Sequence, residues 1–206
     1  VAAMKGHFET AAIAIFVAMV ADGLDGRVAR LTNTSTPFGA QYDSLSDLAA
    51  FGIAPALVLY SWSLGSLGKL GWLAAFIYTA ATALRLARFN TQVSDKQYFQ
   101  GLPCPSAAGV VASIVWLGSN YELTGQMIAV PLAFIAITLG ALMVSTIRYS
   151  SFKSVDFKGK VPFITVVFMV FVMAGVALEP PYILFGLFFV YICSGPVWTL
   201  WQLRRM

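Results

Sequence analysis

Long apolar runs alternate with short polar stretches along the whole chain. Hydropathy predicts seven membrane helices, at about 8–28, 39–60, 70–89, 105–118, 127–147, 161–178 and 182–201. The second contains Pro55, which is expected to kink it without ending it, because neighbouring helices satisfy the freed backbone groups. The fourth is short and rich in Gly, Ala and Ser. Trp62, Trp72, Trp116, Tyr121, Trp198 and Trp201 fall near predicted span ends and read as an aromatic belt.

Composition agrees with this pattern. Of 206 residues, 59% are hydrophobic and 11% charged, too apolar for a soluble domain of that length. The expectation is an all-α polytopic helical bundle, one integral membrane domain over residues 1–206. The charges add a direction. With the Arg27–Arg30 end placed in the cytoplasm, eleven of the thirteen basic residues fall on that side, and only Lys5 and Lys69 on the other. Lys153, Lys158 and Lys160 then face anionic headgroups. The basic residues are scattered among loops, which argues against a nucleic-acid partner. Cys104 and Cys193 form no disulfide framework, and His7 reads as an interfacial residue.

One stretch breaks the apolar pattern. Asp22, Asp25, Gly26, Ala29 and Arg30 fall within roughly 140° of arc on one helix face. Gly39, Asp43 and Asp47 repeat every four residues on the next helix, and the polar segment 32–37 between them reads as a turn. Four carboxylates brought together repel one another unless a cation holds them. Oxygen ligands without His or Cys suit Mg²⁺, Mn²⁺ or Ca²⁺. Gly26, Ala29 and Gly39 leave room for a ligand close to the backbone, and Arg30 offers a fork to phosphate. Carboxylates, divalent metal and a pyrophosphate together describe a phosphoryl-transfer site.

The pattern D-x2-D-G-x2-A-R-x8-G-x3-D-x3-D, from Asp22 to Asp47, resembles the signature of the CDP-alcohol phosphotransferases, membrane enzymes of phospholipid synthesis. Three further segments, Arg85-Leu-Ala-Arg88-Phe-Asn90, Gln100–Ser106 and Met143–Lys153, resemble the phosphatidylserine-synthase branch of that family, so the likeness covers nearly the whole chain. The resemblance implies a homodimer, and a membrane helix ahead of the motif helix that this sequence does not include.

It also implies roles. Asp22, Asp25 and Asp43 hold metal, with Asp47 near the second of two Mg²⁺ or Mn²⁺ ions. Gly26, Ala29, Arg30 and Gly39 seat the CDP portion. Asp47 takes the proton from the attacking hydroxyl. Arg85, Arg88, Asn90, Arg148 and Tyr149 serve the acceptor. The substrates implied are CDP-diacylglycerol, lodged in the bilayer, and L-serine, at the cytoplasmic face. The motif does not choose among acceptors, so glycerol 3-phosphate or inositol phosphate stays open as the alternative. An ion-coupled transporter is the alternative of another class. It would place its acids near the bilayer midplane with repeat symmetry.

Overall fold

A computed structural model describes residues 1–32, 34, 36–91, 98–150 and 163–203. The helices are α1 (Phe8–Leu31), α2 (Pro37–Asp47), α3 (Ala54–Trp62), α4 (Lys69–Thr91), α5 (Cys104–Asn120), α6 (Ala129–Val144), α7 (Phe163–Leu178) and α8 (Pro180–Leu203). Leu48–Ile53 is π-helical and joins α2 to α3, so Pro37–Trp62 is one continuous rod. Pro37–Trp62, Lys69–Thr91, Gly125–Val144 and Pro180–Thr199 are long and apolar enough to cross a membrane. That is four of the seven rods among the described residues. α1 carries Glu9, Asp22, Asp25, Arg27 and Arg30, while α5 and α7 have 17 and 16 residues.

The small-residue helix predicted at 105–118 is the centre of the bundle. Ala107, Ala108, Ala112 and Ser113 on α5 are fully buried. α1, α3 and α8 pack around it, and α4 pairs with α6. Small side chains allow this close approach, which lipid-embedded helices need because no hydrophobic effect drives them together. A Cβ on Gly109 would run into the Phe188 ring of α8, and one on Gly118 into the Trp62 ring of α3. Trp62 is therefore packed inside at 8% exposure, not displayed in a belt, whereas Trp72 is 62% exposed. Phe16 links α1 to this core through Trp116 and Phe188, with ring centroids 6.1 and 6.2 Å away. Outward apolar residues such as Val17, Phe76 and Phe134 are the lipid-facing surface expected of such a bundle.

Pro55 does not end its helix. The disturbance lies just before it, in the π-helical segment. Pro55 has no N–H to return to the Phe51 carbonyl, and Tyr78 of α4 donates its hydroxyl to that oxygen at 3.0 Å. At one end of the bundle the Ser63 hydroxyl donates to the Gly125 carbonyl at 2.6 Å.

At the other end the all-α bundle carries a short two-stranded ladder. β1 (Tyr98–Gln100) pairs antiparallel with β2 (Arg148–Ser150), with Phe99 opposite Tyr149. Three-residue strands inside polar connections carry too little alternation to be read from sequence. The ladder is continued by Gly101, whose amide donates to the Ile147 carbonyl at 2.9 Å, and the next amide, of Leu102, donates to the Leu142 carbonyl in the last turn of α6 at 3.0 Å. Gly101 has φ +79°, and a Cβ there would meet the Met143 carbonyl, so the turn before α5 requires glycine.

Candidate active site

Two helices and one turn build the site. α1 presents Asp22, Asp25, Gly26 and Ala29 along one face near its C-terminal end. The Thr32 amide donates to Val28 and that of Thr34 to Ala29, so carbonyls of the last turn are satisfied as the chain reverses. Thr36 then caps α2. Its side-chain oxygen accepts from the Gly39 amide at 3.0 Å, with Pro37 in the first turn. A Cβ at Gly39 would stand 3.1 Å from that oxygen, so a side chain at position 39 would press on the cap as well as on the space in front of it.

Carboxylate oxygens of Asp22, Asp25 and Asp43 lie within 4.8 Å of one another. The Asp47 carboxyl lies within hydrogen-bonding reach of Asp22. All four, with Gly26, Ala29 and Gly39, line one open cleft of about 610 Å³. Seven of the eight motif residues expected at the site therefore meet there, and the side chain of the eighth, Arg30, lies outside the described residues. The donor set is all carboxylate oxygen, and its spacing lets one cation touch several of them. The residues present fit a hard divalent metal, whose charge relieves the repulsion among them.

The cleft also has lining that the motif did not reveal. Ala18 and Ala21 extend the α1 face inward, Thr34 and Thr36 lie in the turn, and Ser46, Ala50 and Phe51 close the α2 side. Helical spacing back from Asp22 and Asp25 finds Ala18 and Ala21, but nothing in sequence marks the turn threonines.

Of the residues expected to hold the acceptor, Arg85, Arg88, Asn90 and Tyr149 are not among the described residues that line this cleft. Arg85 stands close enough to act electrostatically on Asp47. Its Nη1 donates to the buried Cys104 Sγ at 3.2 Å, and its buried Nε has no hydrogen-bond partner among the described residues. Arg88 donates to Gln100 Oε1 at 2.6 Å and to the Val144 carbonyl at 3.3 Å, tying α4 to β1 and α6. Asn90 bonds Ser44 and Gln41 on α2. Tyr149 is fully buried and donates to the Ile192 carbonyl of α8 at 3.3 Å, and burial pushes its phenol up to about 12. The Arg148 side chain lies outside the described residues, as do Lys153, Lys158 and Lys160.

A family model described as CDP-alcohol phosphatidyltransferase matches residues 1–147. The chain belongs to that family. Within it, the chain is 40% identical over 188 residues to a CDP-diacylglycerol–serine O-phosphatidyltransferase of Helicobacter pylori, covering 90% of this chain and 78% of the relative. It is 31% identical over 202 residues to the enzyme of that name from Mycobacterium leprae, covering 92% and 66%. An archaetidylserine synthase of Methanothermobacter thermautotrophicus is 36% identical over 148 residues, covering 71% of this chain and 60% of the relative. In this CDP-alcohol phosphatidyltransferase the part matched by the family model contains α1 to α6, and so the whole cleft.

Proposed function

We propose that this chain transfers the phosphatidyl group of CDP-diacylglycerol to the hydroxyl of L-serine, releasing CMP and forming phosphatidylserine. The observation that carries the reading is the meeting of four carboxylates and three small residues in one cleft between α1 and α2. The serine acceptor rests on the names of the relatives.

Asp22, Asp25 and Asp43 would hold divalent metal, Mg²⁺ or Mn²⁺, and Asp47 would serve a second ion. Divalent metal held by these carboxylates would offset the pyrophosphate charge and favour in-line displacement. Gly26, Ala29 and Gly39 let the CDP portion lie against backbone, and Arg30 adds a cation to it. Asp47 takes the proton of the serine hydroxyl. That oxygen bonds to the phosphorus bearing diacylglycerol, the bond to the bridging oxygen breaks, and CMP carries the electron pair away. Arg85 is the best-placed partner for the serine carboxylate, because it borders Asp47 and keeps a buried N–H unpaired among the described residues.

The same reading makes residues 1–206 one membrane domain with seven rods crossing the bilayer, the cleft at the cytoplasmic face, and two copies in the working enzyme. The alternation of charged loops supports the orientation. The acids lie in the last part of α1 and the first part of the Pro37–Trp62 rod, toward one end of the bundle, which does not favour an ion-coupled transporter. The test is CMP release from CDP-diacylglycerol with a panel of acceptors. L-serine should support it, and glycerol 3-phosphate or inositol phosphate should give little. A better rate with either phosphate ester would overturn the serine assignment.

A further inference from the structure

Of the two helices that carry the carboxylates, α1 is well anchored and α2 is not. Ala11, Ala12 and Ile15 bury α1 against α5, whereas no residue of α2 is buried. The buried part of the rod passes a rotation to α2 through the π-helical turn at Leu48–Ile53, but α2 has no buried contact of its own to hold that angle along its length. That angle decides whether Asp43 reaches Asp22 and Asp25.

The far flank of α2 holds a candidate. Ser44 and Gln41 lie roughly 100° and 160° around the helix from Asp43, away from the cleft. Asn90, in the last turn of α4, donates from Nδ2 to Ser44 Oγ at 2.9 Å and to Gln41 Oε1 at 3.5 Å. The Ser44 hydroxyl also stands 3.1 Å from the Ala40 carbonyl. α4 itself is fixed along its length by its packing on α6, by the bond from Tyr78 to Phe51, and by the clamp from Arg88 to Gln100 and Val144. Asn90 thus joins a fixed helix to an unburied one, one residue along from a metal-binding position.

We propose that Asn90 is a positioning residue for the metal site. Through Ser44 it holds α2 at the rotation that the rod gives it, and so keeps the approach of Asp43 to the carboxylates of α1. This rests on the metal-holding role of Asp22, Asp25 and Asp43 given above, and it moves Asn90 out of the acceptor set. Outer partners of metal ligands set affinity through geometry without touching the ion.

The test is direct Mn²⁺ binding to the purified full chain in detergent, read as loss of the free Mn²⁺ paramagnetic resonance signal, beside CMP release with L-serine. Asn90→Ala should weaken Mn²⁺ binding about tenfold. At saturating Mn²⁺ the KM for serine should not change. Ser44→Ala should reproduce most of the loss and the double variant should be no worse than Asn90→Ala, since the short bond to Ser44 is the one they share and the 3.5 Å contact to Gln41 is the weaker. Ser44→Thr keeps the hydroxyl and should restore binding. If Asn90→Ala does not fold, Ser44→Ala decides, because it removes a single oxygen. Mn²⁺ affinity within about twofold of wild type in Ser44→Ala overturns the proposal, as does a raised serine KM with unchanged Mn²⁺ affinity in Asn90→Ala. A wild-type chain that binds no Mn²⁺ overturns it together with the metal reading. A chain that binds Mn²⁺, responds to these substitutions and yet uses no serine refutes the proposed acceptor and leaves the role of Asn90 standing.

Discussion

The Tyr78 hydroxyl donates to the carbonyl of Phe51 at 3.0 Å, from α4 into the π-helical part of the neighbouring rod. Both residues are buried, and Phe51 also lines the cleft that holds the carboxylates. Tyr78→Phe leaves that carbonyl without its side-chain donor. The expected cost is about 1–3 kcal/mol, seen as a lower unfolding midpoint in detergent. A midpoint equal to wild type would show that the bond contributes nothing.

Removing metal should stop the reaction. Excess chelator should abolish CMP release and Mg²⁺ or Mn²⁺ should restore it. Asp43→Asn should lose bound Mn²⁺ and turnover together, because Asp22, Asp25 and Asp43 form one cluster. Full activity in excess chelator would remove the metal from the mechanism.

Asp47→Asn separates binding from proton transfer. Turnover should fall by about 10²–10⁴ while the KM for CDP-diacylglycerol moves much less, since a base acts mainly in the transition state. Turnover close to wild type would rule out Asp47 as the base.

Arg85 and Arg88 should behave differently although they are three residues apart. Arg85→Ala should raise the KM for L-serine with little change in that for CDP-diacylglycerol. Arg88→Ala should lower the unfolding midpoint, because it releases Gln100 and the Val144 carbonyl. Equal effects of both on serine KM would argue against Arg85 as the separate carboxylate partner.

Orientation is checked by labelling. In a Cys193→Ser background, a cysteine in place of Glu122 should react from outside the cell, and one in place of Lys158 only after the cytoplasmic side is opened. The reverse pattern would invert the active site.

Much of the cleft was legible in the sequence because helical periodicity is rigid. Spacing alone places Asp22, Asp25, Gly26 and Ala29 on one face and Gly39, Asp43 and Asp47 on another, and the structure brings the two together. Helix positions were legible for the same reason, as at 70–89, where α4 runs Lys69–Thr91. Contacts between distant parts of the chain were not. Hydropathy sees an aromatic near a span end, so it placed Trp62 in a belt, but the space for that ring comes from Gly118 and Gly125. The family resemblance groups Arg85, Arg88, Asn90, Arg148 and Tyr149 at the acceptor, yet the partners of Arg85, Arg88, Asn90 and Tyr149 sit on α5, β1, α2 and α8. The β1–β2 ladder likewise depends on two connections meeting, which no local pattern records.

The π-helical turn at Leu48–Ile53 makes the number of residues there, more than their identity, a determinant of the site. A π turn accommodates an extra residue relative to an α-helix, so it sets the phase between the part of the rod locked into the bundle and the part that carries Asp43 and Asp47. Deleting one residue turns everything before it by roughly 100° and faces both carboxylates away from α1. Among chains that keep this chemistry, the interval between Asp47 and Pro55 is therefore expected to hold its length.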